Sequence, residues 1–166
     1  NPFLGSDSLL PFIQTAKKHN KGIFVLVKTS NPLSGEFQDL LCGEMKLHEI
    51  IARKTHEWGK DLIGKEGYSA VGAVVGATYS QEMQTLRKIM PSAFFLVPGY
   101  GAQGATANDI KYCFNSDGLG AIINASRSIL YAYNISPWKE KYGVKAWKEA
   151  TQEAVIKMNE EIRDML

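Results

Sequence analysis

Leu96-Val97-Pro98-Gly99-Tyr100-Gly101-Ala102-Gln103-Gly104 decides how the rest of the chain is read. The apolar run from Ala93 to Val97 leads into it with the pattern of a buried strand. Glycines then fall at 99, 101 and 104, where a tight turn exposes bare N–H groups to a ligand. Oriented N–H groups after a strand form an anion cradle, and Gln103 adds an amide donor. About twenty residues later, Gly120-Ala121-Ile122-Ile123-Asn124-Ala125-Ser126-Arg127-Ser128 repeats the theme. It reads as a strand ending in an arginine between two hydroxyls. The two loops are expected to grip one phosphate together.

The flanking segments alternate between strand and helix patterns. Asn1 to Gly5 reads as a turn, and a helix capped by Ser6 or Asp7 is expected to run to Lys18. Ile23 to Val27 is apolar on both faces, as in a covered parallel strand, and Lys28-Thr29-Ser30-Asn31-Pro32 follows as a loop. A helix is expected over Leu47 to Ile63, a strand over Val71 to Thr78, and a helix over Ser80 to Met90 with Ser80 as its cap. After the strand at 93–97, a helix is expected near Ala107 to Phe114, then a strand at 120–125. A single helix from Pro137 to Met165 carries Trp147, Ala150, Ala154, Met158 and Ile162 at helical spacing.

Composition excludes several classes. The 166 residues are 45% hydrophobic with a net charge of +2, as in one soluble domain, and the basic residues form no stripe that would suit a nucleic acid. No apolar run reaches membrane-spanning length and no signal peptide is recognised. Cys42 and Cys113 follow no metal or redox spacing, so free thiols in the cytoplasm are expected. His19, His48 and His56 form no ligand set and are expected to face solvent, with no metal bound. The opening Asn1-Pro2, without an initiator methionine, predicts a cut through a larger protein.

Four strands alternating with helices argue a parallel α/β sheet. Units of about forty residues suit an eightfold β/α barrel, which typically takes roughly 250 residues and binds phosphate after strands 7 and 8. The fold expected is therefore a TIM barrel, with residues 1–166 forming the C-terminal half of that single domain, strands five to eight. Phe24, Val74, Phe95 and Ile122, or their neighbours, are expected to face the barrel interior. Taken alone, Pro-Gly-x-Gly and Ser-Asn-Pro are turn signals, and an arginine after a strand commonly serves a surface ion pair. Their coincidence at successive strand ends is what argues for a site.

Four segments in order carry a resemblance: Val27-Lys28-Thr29-Ser30-Asn31-Pro32, Val74-Val75-Gly76-Ala77-Thr78, Val97 to Gly104, and Ile123-Asn124-Ala125-Ser126-Arg127. Together they resemble the C-terminal half of orotidine 5′-monophosphate decarboxylase, in the bacterial subgroup with a long insertion after the fifth strand. The resemblance implies cofactor-free conversion of orotidine 5′-monophosphate to uridine 5′-monophosphate by a homodimeric barrel. It implies that Gln103 and Arg127 bind the phosphate with backbone N–H groups near Gly101 and Ser126, that Ser30 reads the pyrimidine, and that Pro98 lines the base pocket. The family's Asp-x-Lys-x-x-Asp motif, which supplies the proton donor and the charged network, does not occur in the chain. Catalytic residues are therefore expected in a preceding half of the barrel, which this chain would need as a partner, and the isolated chain is expected to be inactive. Lys28 is the first candidate for a catalytic cation should the chain act alone. The competing readings are another sugar-phosphate barrel lyase or epimerase, and a non-catalytic phosphate-binding half-barrel.

Overall fold

The computed structural model describes residues 1–101 and 104–166 of the chain. Four strands, β1 (Ile23–Lys28), β4 (Ser69–Val75), β5 (Ala93–Pro98) and β6 (Ala121–Asn124), form one sheet in the order β1-β4-β5-β6. Every neighbouring pair is parallel. A short antiparallel hairpin, β2 (Leu41–Cys42) with β3 (Met45–Lys46), sits apart in the β1–β4 connection, where the sequence carries no strand signal strong enough to expect it. The helices are α1 (Gly5–Lys18), α2 (Gly35–Gln38), α3 (Leu47–Gly59), α4 (Ser80–Ile89), α5 (Ala107–Ile110), α6 (Ser126–Leu130), α7 (Trp138–Lys141) and α8 (Trp147–Met165).

The core lies on one face of the sheet. Val27, Ala73, Val75, Phe95 and Val97 are all buried there, against Ile51 and Ala52 of α3 and Met83 and Leu86 of α4. Met158, Ile162 and Met165 of α8 close the same layer. Leu9 and Ile13 of α1 pack with Val25 and Val71 at the β1 end. The opposite face is different. Phe24 (43% exposed), Leu26 (46%) and Ile122 (48%) stand in the open, with Val74, Phe94 and Leu96 only half-covered beside them. Register places Leu26 beside Val74, Val74 beside Leu96, and Leu96 beside Ile122, so one continuous apolar row crosses the sheet. Phe95, expected on this open face, points into the helix layer and is fully buried; Phe94 and Leu96 take the open side. A run that is apolar on both faces gives no parity signal from which to tell them apart.

Arg87 holds the N-terminal end of the sheet. Its side chain is buried, and its guanidinium makes five hydrogen bonds to four backbone carbonyls. Nε and Nη2 donate to the Cys113 carbonyl at 3.1 and 2.5 Å, Nη1 to Met90 at 3.0 Å and Ala93 at 2.8 Å, and Nη2 to Gly120 at 2.8 Å. The cation also stacks 3.6 Å from the centre of the Phe95 ring. Burial lowers its pKa to about 10, which still leaves it charged at neutral pH. The nearby Cys113 thiol is pushed up to about 12, chiefly by burial, so it packs as an inert thiol.

Several boundaries differ from the sequence reading. The Pro2–Leu4 turn is a 3-10 helix whose start is capped by the Asn1 side chain, accepting from the Phe3 N–H at 3.2 Å, and α1 begins at Gly5 without a Ser6 or Asp7 cap. Ser80 is the first residue of α4 rather than its cap, which is Tyr79. The helix from Leu47 stops at Gly59 and continues as a 3-10 turn to Leu62, and the segment after Ala107 is α5 followed by a 3-10 turn, Lys111–Cys113. The long C-terminal helix is broken into α7 and α8 at Gly143, whose φ of +60° no helix accommodates. Apolar spacing continues across the break, so periodicity does not reveal it.

Replacing Arg87 with Met in the complete protein would keep much of the packing and remove all five donors. The expected cost is about 3–5 kcal/mol, because buried carbonyls lose partners they cannot replace from water. Chemical denaturation measures it, and a loss below about 1 kcal/mol would show that the clamp is dispensable.

Candidate functional site

The C-terminal ends of the strands form one rim. It is stitched by the β4–α4 connection: the Gly76 N–H donates to the Lys28 carbonyl at 2.8 Å and the Ala77 N–H to the Pro98 carbonyl at 2.9 Å. At Gly76 a Cβ would lie 2.7 Å from both the N and Cα of Ser30, so only glycine lets the post-β1 loop pass this close.

At the β5–β6 side of the rim, Pro98, Gly99, Tyr100, Asn124, Ala125, Ser126 and Arg127 line a cleft of about 150 Å³. Both stretches singled out in the sequence meet here. Asn124 pairs with Pro98 across the strand ends, and the Ser126 hydroxyl donates to Asn124 Oδ1 at 3.1 Å. Arg127 is exposed, and among the described residues no carboxylate lies within ion-pairing distance of it. An arginine at a cleft with no internal acid is available to an external anion, with a fork suited to two phosphate oxygens.

The described residues at the two ends of the glycine loop are bonded to each other. Gly99 and Gly101 have φ of +101° and +70°, and the Gly101 N–H donates to the Ala105 carbonyl at 2.8 Å. That N–H therefore shapes the loop rather than pointing at a ligand. Gln103 lies outside the described residues. Behind the loop the buried Tyr100 donates its hydroxyl to Glu161 of α8 at 2.8 Å, and burial with that carboxylate raises its pKa. The C-terminal helix is thereby bonded to the loop that builds the cleft.

Ser30 sits at the other end of the rim, after β1, and does not line the Arg127 cleft. Its carbonyl accepts from Thr78 Oγ1 at 3.3 Å, and the next carbonyl, of Asn31, accepts from the Tyr79 hydroxyl at 3.2 Å. The site residues thus divide between two ends of one edge: Pro98, Ser126 and Arg127 together, Ser30 apart.

A charged cluster next to Ser30 was not legible in the sequence. Lys28 is fully buried, its ammonium 2.8 Å from Asp39 Oδ1 and 4.5 Å from the centre of the Tyr79 ring. It is therefore withdrawn from the rim and does not serve as a free cation there. His48, expected to face solvent, is buried, and His56 is half-buried. His48 Nδ1 lies 2.8 Å from the Gln38 carbonyl and 3.1 Å from Asp39 Oδ1. Both partners accept, so Nδ1 carries the hydrogen. Burial, with the ammonium groups of Lys28 and Lys46 nearby, lowers the His48 pKa against the pull of the Gln38 carbonyl and Asp39. At Asp39 burial works upward, but the Lys28 hydrogen bond and the charges of Lys28, Lys46 and His48 hold the carboxyl below its usual range.

Asp109-Ile110-Lys111 begins with the spacing of the family's catalytic motif, but Phe114 stands where the second aspartate belongs. Asp109 instead caps α5, accepting from the Thr106 N–H and hydroxyl, each at 2.7 Å. Among the described residues no three His, Cys, Asp or Glu side chains are grouped to hold a metal, and no helix is long and apolar enough to cross a membrane.

Fold and site define a parallel α/β protein whose polar loops converge on the C-terminal edge of the sheet, where proteins of this class build their binding sites. The profile of the Orotidine 5′-phosphate decarboxylase / HUMPS family matches residues 1–141, and the chain belongs to that family. It is 53% identical over 133 residues to an orotidine 5′-phosphate decarboxylase of Caldicellulosiruptor bescii, covering 80% of this chain and 44% of that protein. A Rhodopirellula baltica protein of the same name is 42% identical over 167 residues, covering 98% of this chain and 54% of the relative. The chain spans about half the length of the curated relatives it matches. Among solved structures it resembles Leishmania donovani OMP decarboxylase, with a TM-score of 0.65 at 33% identity, covering 93% of this chain and 54% of that one. It also resembles Leishmania donovani UMP synthase, with a TM-score of 0.67 at 35% identity, covering 92% of this chain and 31% of that one.

The state of His48 sets a pH dependence. Its folded pKa lies below the unfolded value of 6.5, so the unfolded chain takes up a proton that the folded chain resists. Stability should be full above pH 6.5 and decline as the pH falls from there through the lower, folded pKa. Asp39 contributes its own decline only below 3.8, outside that window. Denaturant midpoints measured between about pH 7.5 and 5 should fall less steeply in His48→Asn, which keeps a neutral donor; equal slopes would contradict the assignment.

Proposed function

We propose that the complete protein is an orotidine 5′-monophosphate decarboxylase and that this chain supplies strands five to eight of its TIM barrel. The strand order supports the half-barrel reading. A sheet running β1-β4-β5-β6 without reversal, helices on one face only, is how a barrel is wound; a doubly wound sheet reverses order and covers both faces. The open row of Phe24, Leu26, Val74, Leu96 and Ile122 is the part of a barrel interior that strands one to four would cover. The unpaired edges of β1 and β6 are where those strands would attach. Residues 1–166 then form one half of a single domain, acting in the cytoplasm as part of a homodimer.

Arg127 is the observation that carries the functional reading: an arginine without a carboxylate partner among the described residues, in a cleft made by two consecutive strand ends. In this account it grips the substrate phosphate with Gln103 and the backbone around Ser126, while Gly101, whose N–H is taken by the Ala105 carbonyl, shapes the loop beside them. Pro98 lines the base pocket and Ser30 meets the polar edge of the pyrimidine. The phosphate is remote from the reacting carbon, so its binding energy serves to orient the ring and close loops over it. In the reaction the bond from the ring to the carboxylate breaks, its electron pair stays on the ring carbon, and a proton replaces the departing carbon dioxide. A placed cation must meet the developing charge. Lys28 is already committed to Asp39, so that cation, with the Asp-x-Lys-x-x-Asp motif, belongs to the preceding half of the barrel. The isolated chain is accordingly expected to be inactive. The names of the relatives favour this reading over another sugar-phosphate lyase or epimerase and over a non-catalytic half-barrel.

Arg127→Ala in the complete protein should weaken uridine 5′-monophosphate binding by about 2–5 kcal/mol, the cost of losing one partner of a charge pair that the bound ligand buries. Uridine, which lacks the phosphate, should bind the variant and the unaltered protein alike. Calorimetric titration of both ligands checks this, and equal losses for the two would refute the phosphate assignment.

A further inference from the structure

We propose that Lys28, Asp39 and His48 are positioning residues, a charged lock that fixes the loop from Thr29 to Gln38 and so sets where Ser30 meets the base. The inference rests on the reading of Ser30 given above, and goes beyond it by assigning the residues that hold Ser30 in place.

The lock begins with a fault in the sheet. Pairing between β1 and β4 runs in register to Leu26 opposite Val74, then slips, so that Lys28 rather than Val27 is opposite Val75. A bulge of this kind re-aims the side chains that follow it. Val27 and Lys28 are consequently both buried, although neighbours on a regular strand point to opposite faces. The re-aimed lysine carries its charge to Asp39, at the far end of the loop. A buried ammonium persists only when paired, and such a pair contributes more to geometry than to net stability. Here the geometry is a closed neck, with the residue before the loop tied to the residue after it.

Three further residues tighten the neck. The Gln38 side chain accepts from the Thr29 N–H at 2.9 Å and donates to Thr29 Oγ1 at 2.9 Å. His48 of α3 donates from Nδ1 to the Gln38 carbonyl and lies 3.1 Å from Asp39 Oδ1, anchoring the exit side on a helix. Tyr79, whose ring faces the Lys28 ammonium, reaches with its hydroxyl to the Asn31 carbonyl and accepts from Ser34 Oγ at 3.1 Å. The outer charges continue the network: Lys46 lies 3.8 Å from Asp39 and 3.5 Å from Glu82 of α4. Ser30 therefore stands on a loop clamped at both ends and held along its length, as a reader must be when a misplacement of about 1 Å can cost a hundredfold in rate.

The test uses the complete protein with Asp39→Asn, which keeps the shape and removes the charge, and the double variant Lys28→Met with Asp39→Leu, which removes both charges and preserves packing. Uridine 5′-monophosphate and ribose 5-phosphate are titrated against each. Both variants should lose about ten- to a hundredfold in affinity for the nucleotide, while ribose 5-phosphate, which has no base, changes by less than about twofold. Amide hydrogen exchange over residues 29–38 should accelerate in both variants, with β4 unchanged. Unchanged exchange in the loop, or equal losses for the two ligands, would overturn the lock. Accelerated exchange in the variants, together with an unaltered protein that does not prefer the nucleotide to ribose 5-phosphate, would support the lock and refute Ser30 as the base reader.

Discussion

The buried guanidinium of Arg87 is the interaction on which the arrangement of β5 and β6 depends. Its four carbonyl partners come from the end of α4, the start of β5, the turn after α5 and the residue before β6. A planar fork with five donors can serve all of them at once, which an ammonium cannot. The cation is compensated by carbonyl dipoles and by the face of Phe95 rather than by a carboxylate. By fixing where both strands begin, it also fixes where they end, and their ends are where Pro98 and Arg127 emerge. Stability is thus concentrated at the N-terminal edge of the sheet, and the polar loops are left to the opposite edge, where parallel α/β sheets build their sites.

A parallel sheet is ordinarily covered on both faces. Here α3, α4 and α8 cover one, and the other presents Phe24, Leu26 and Ile122 nearly half exposed. The same asymmetry orders the candidate site. Side chains that must hold the framework lie on the helix side, including Lys28, which the β1 bulge turns inward. Arg127 and Ser126 remain exposed at the rim, and Ser30 half-covered beside it. The C-terminal helix joins the two layers through Glu161, which accepts from Tyr100 directly behind the cleft.

The strands were legible because parallel buried strands are short continuous apolar runs, and the glycine loop because punctuation follows one of them directly. The Arg127 cleft was legible for the same reason, since each half of it is local in sequence. What escaped depends on distant partners or on parity. Phe94 and Phe95 are adjacent and equally apolar, so pattern does not say which faces the helices. His48 resembles any helix histidine until Gln38 and Asp39 fold back onto it. Lys28 reads as the first polar residue after a strand, and only the register slip opposite Val75 buries it. The break at Gly143 is hidden because apolar spacing resumes beyond it.

The central claim is that the two ends of the rim act on one ligand, phosphate at Arg127 and base at Ser30. A crystal structure of the complete protein with uridine 5′-monophosphate tests it most directly. The account predicts phosphate oxygens within hydrogen-bond distance of the Arg127 guanidinium and the polar edge of the pyrimidine beside Ser30, with the Lys28–Asp39 pair intact. A phosphate bound away from Arg127, or a pyrimidine remote from the end of β1, would contradict it.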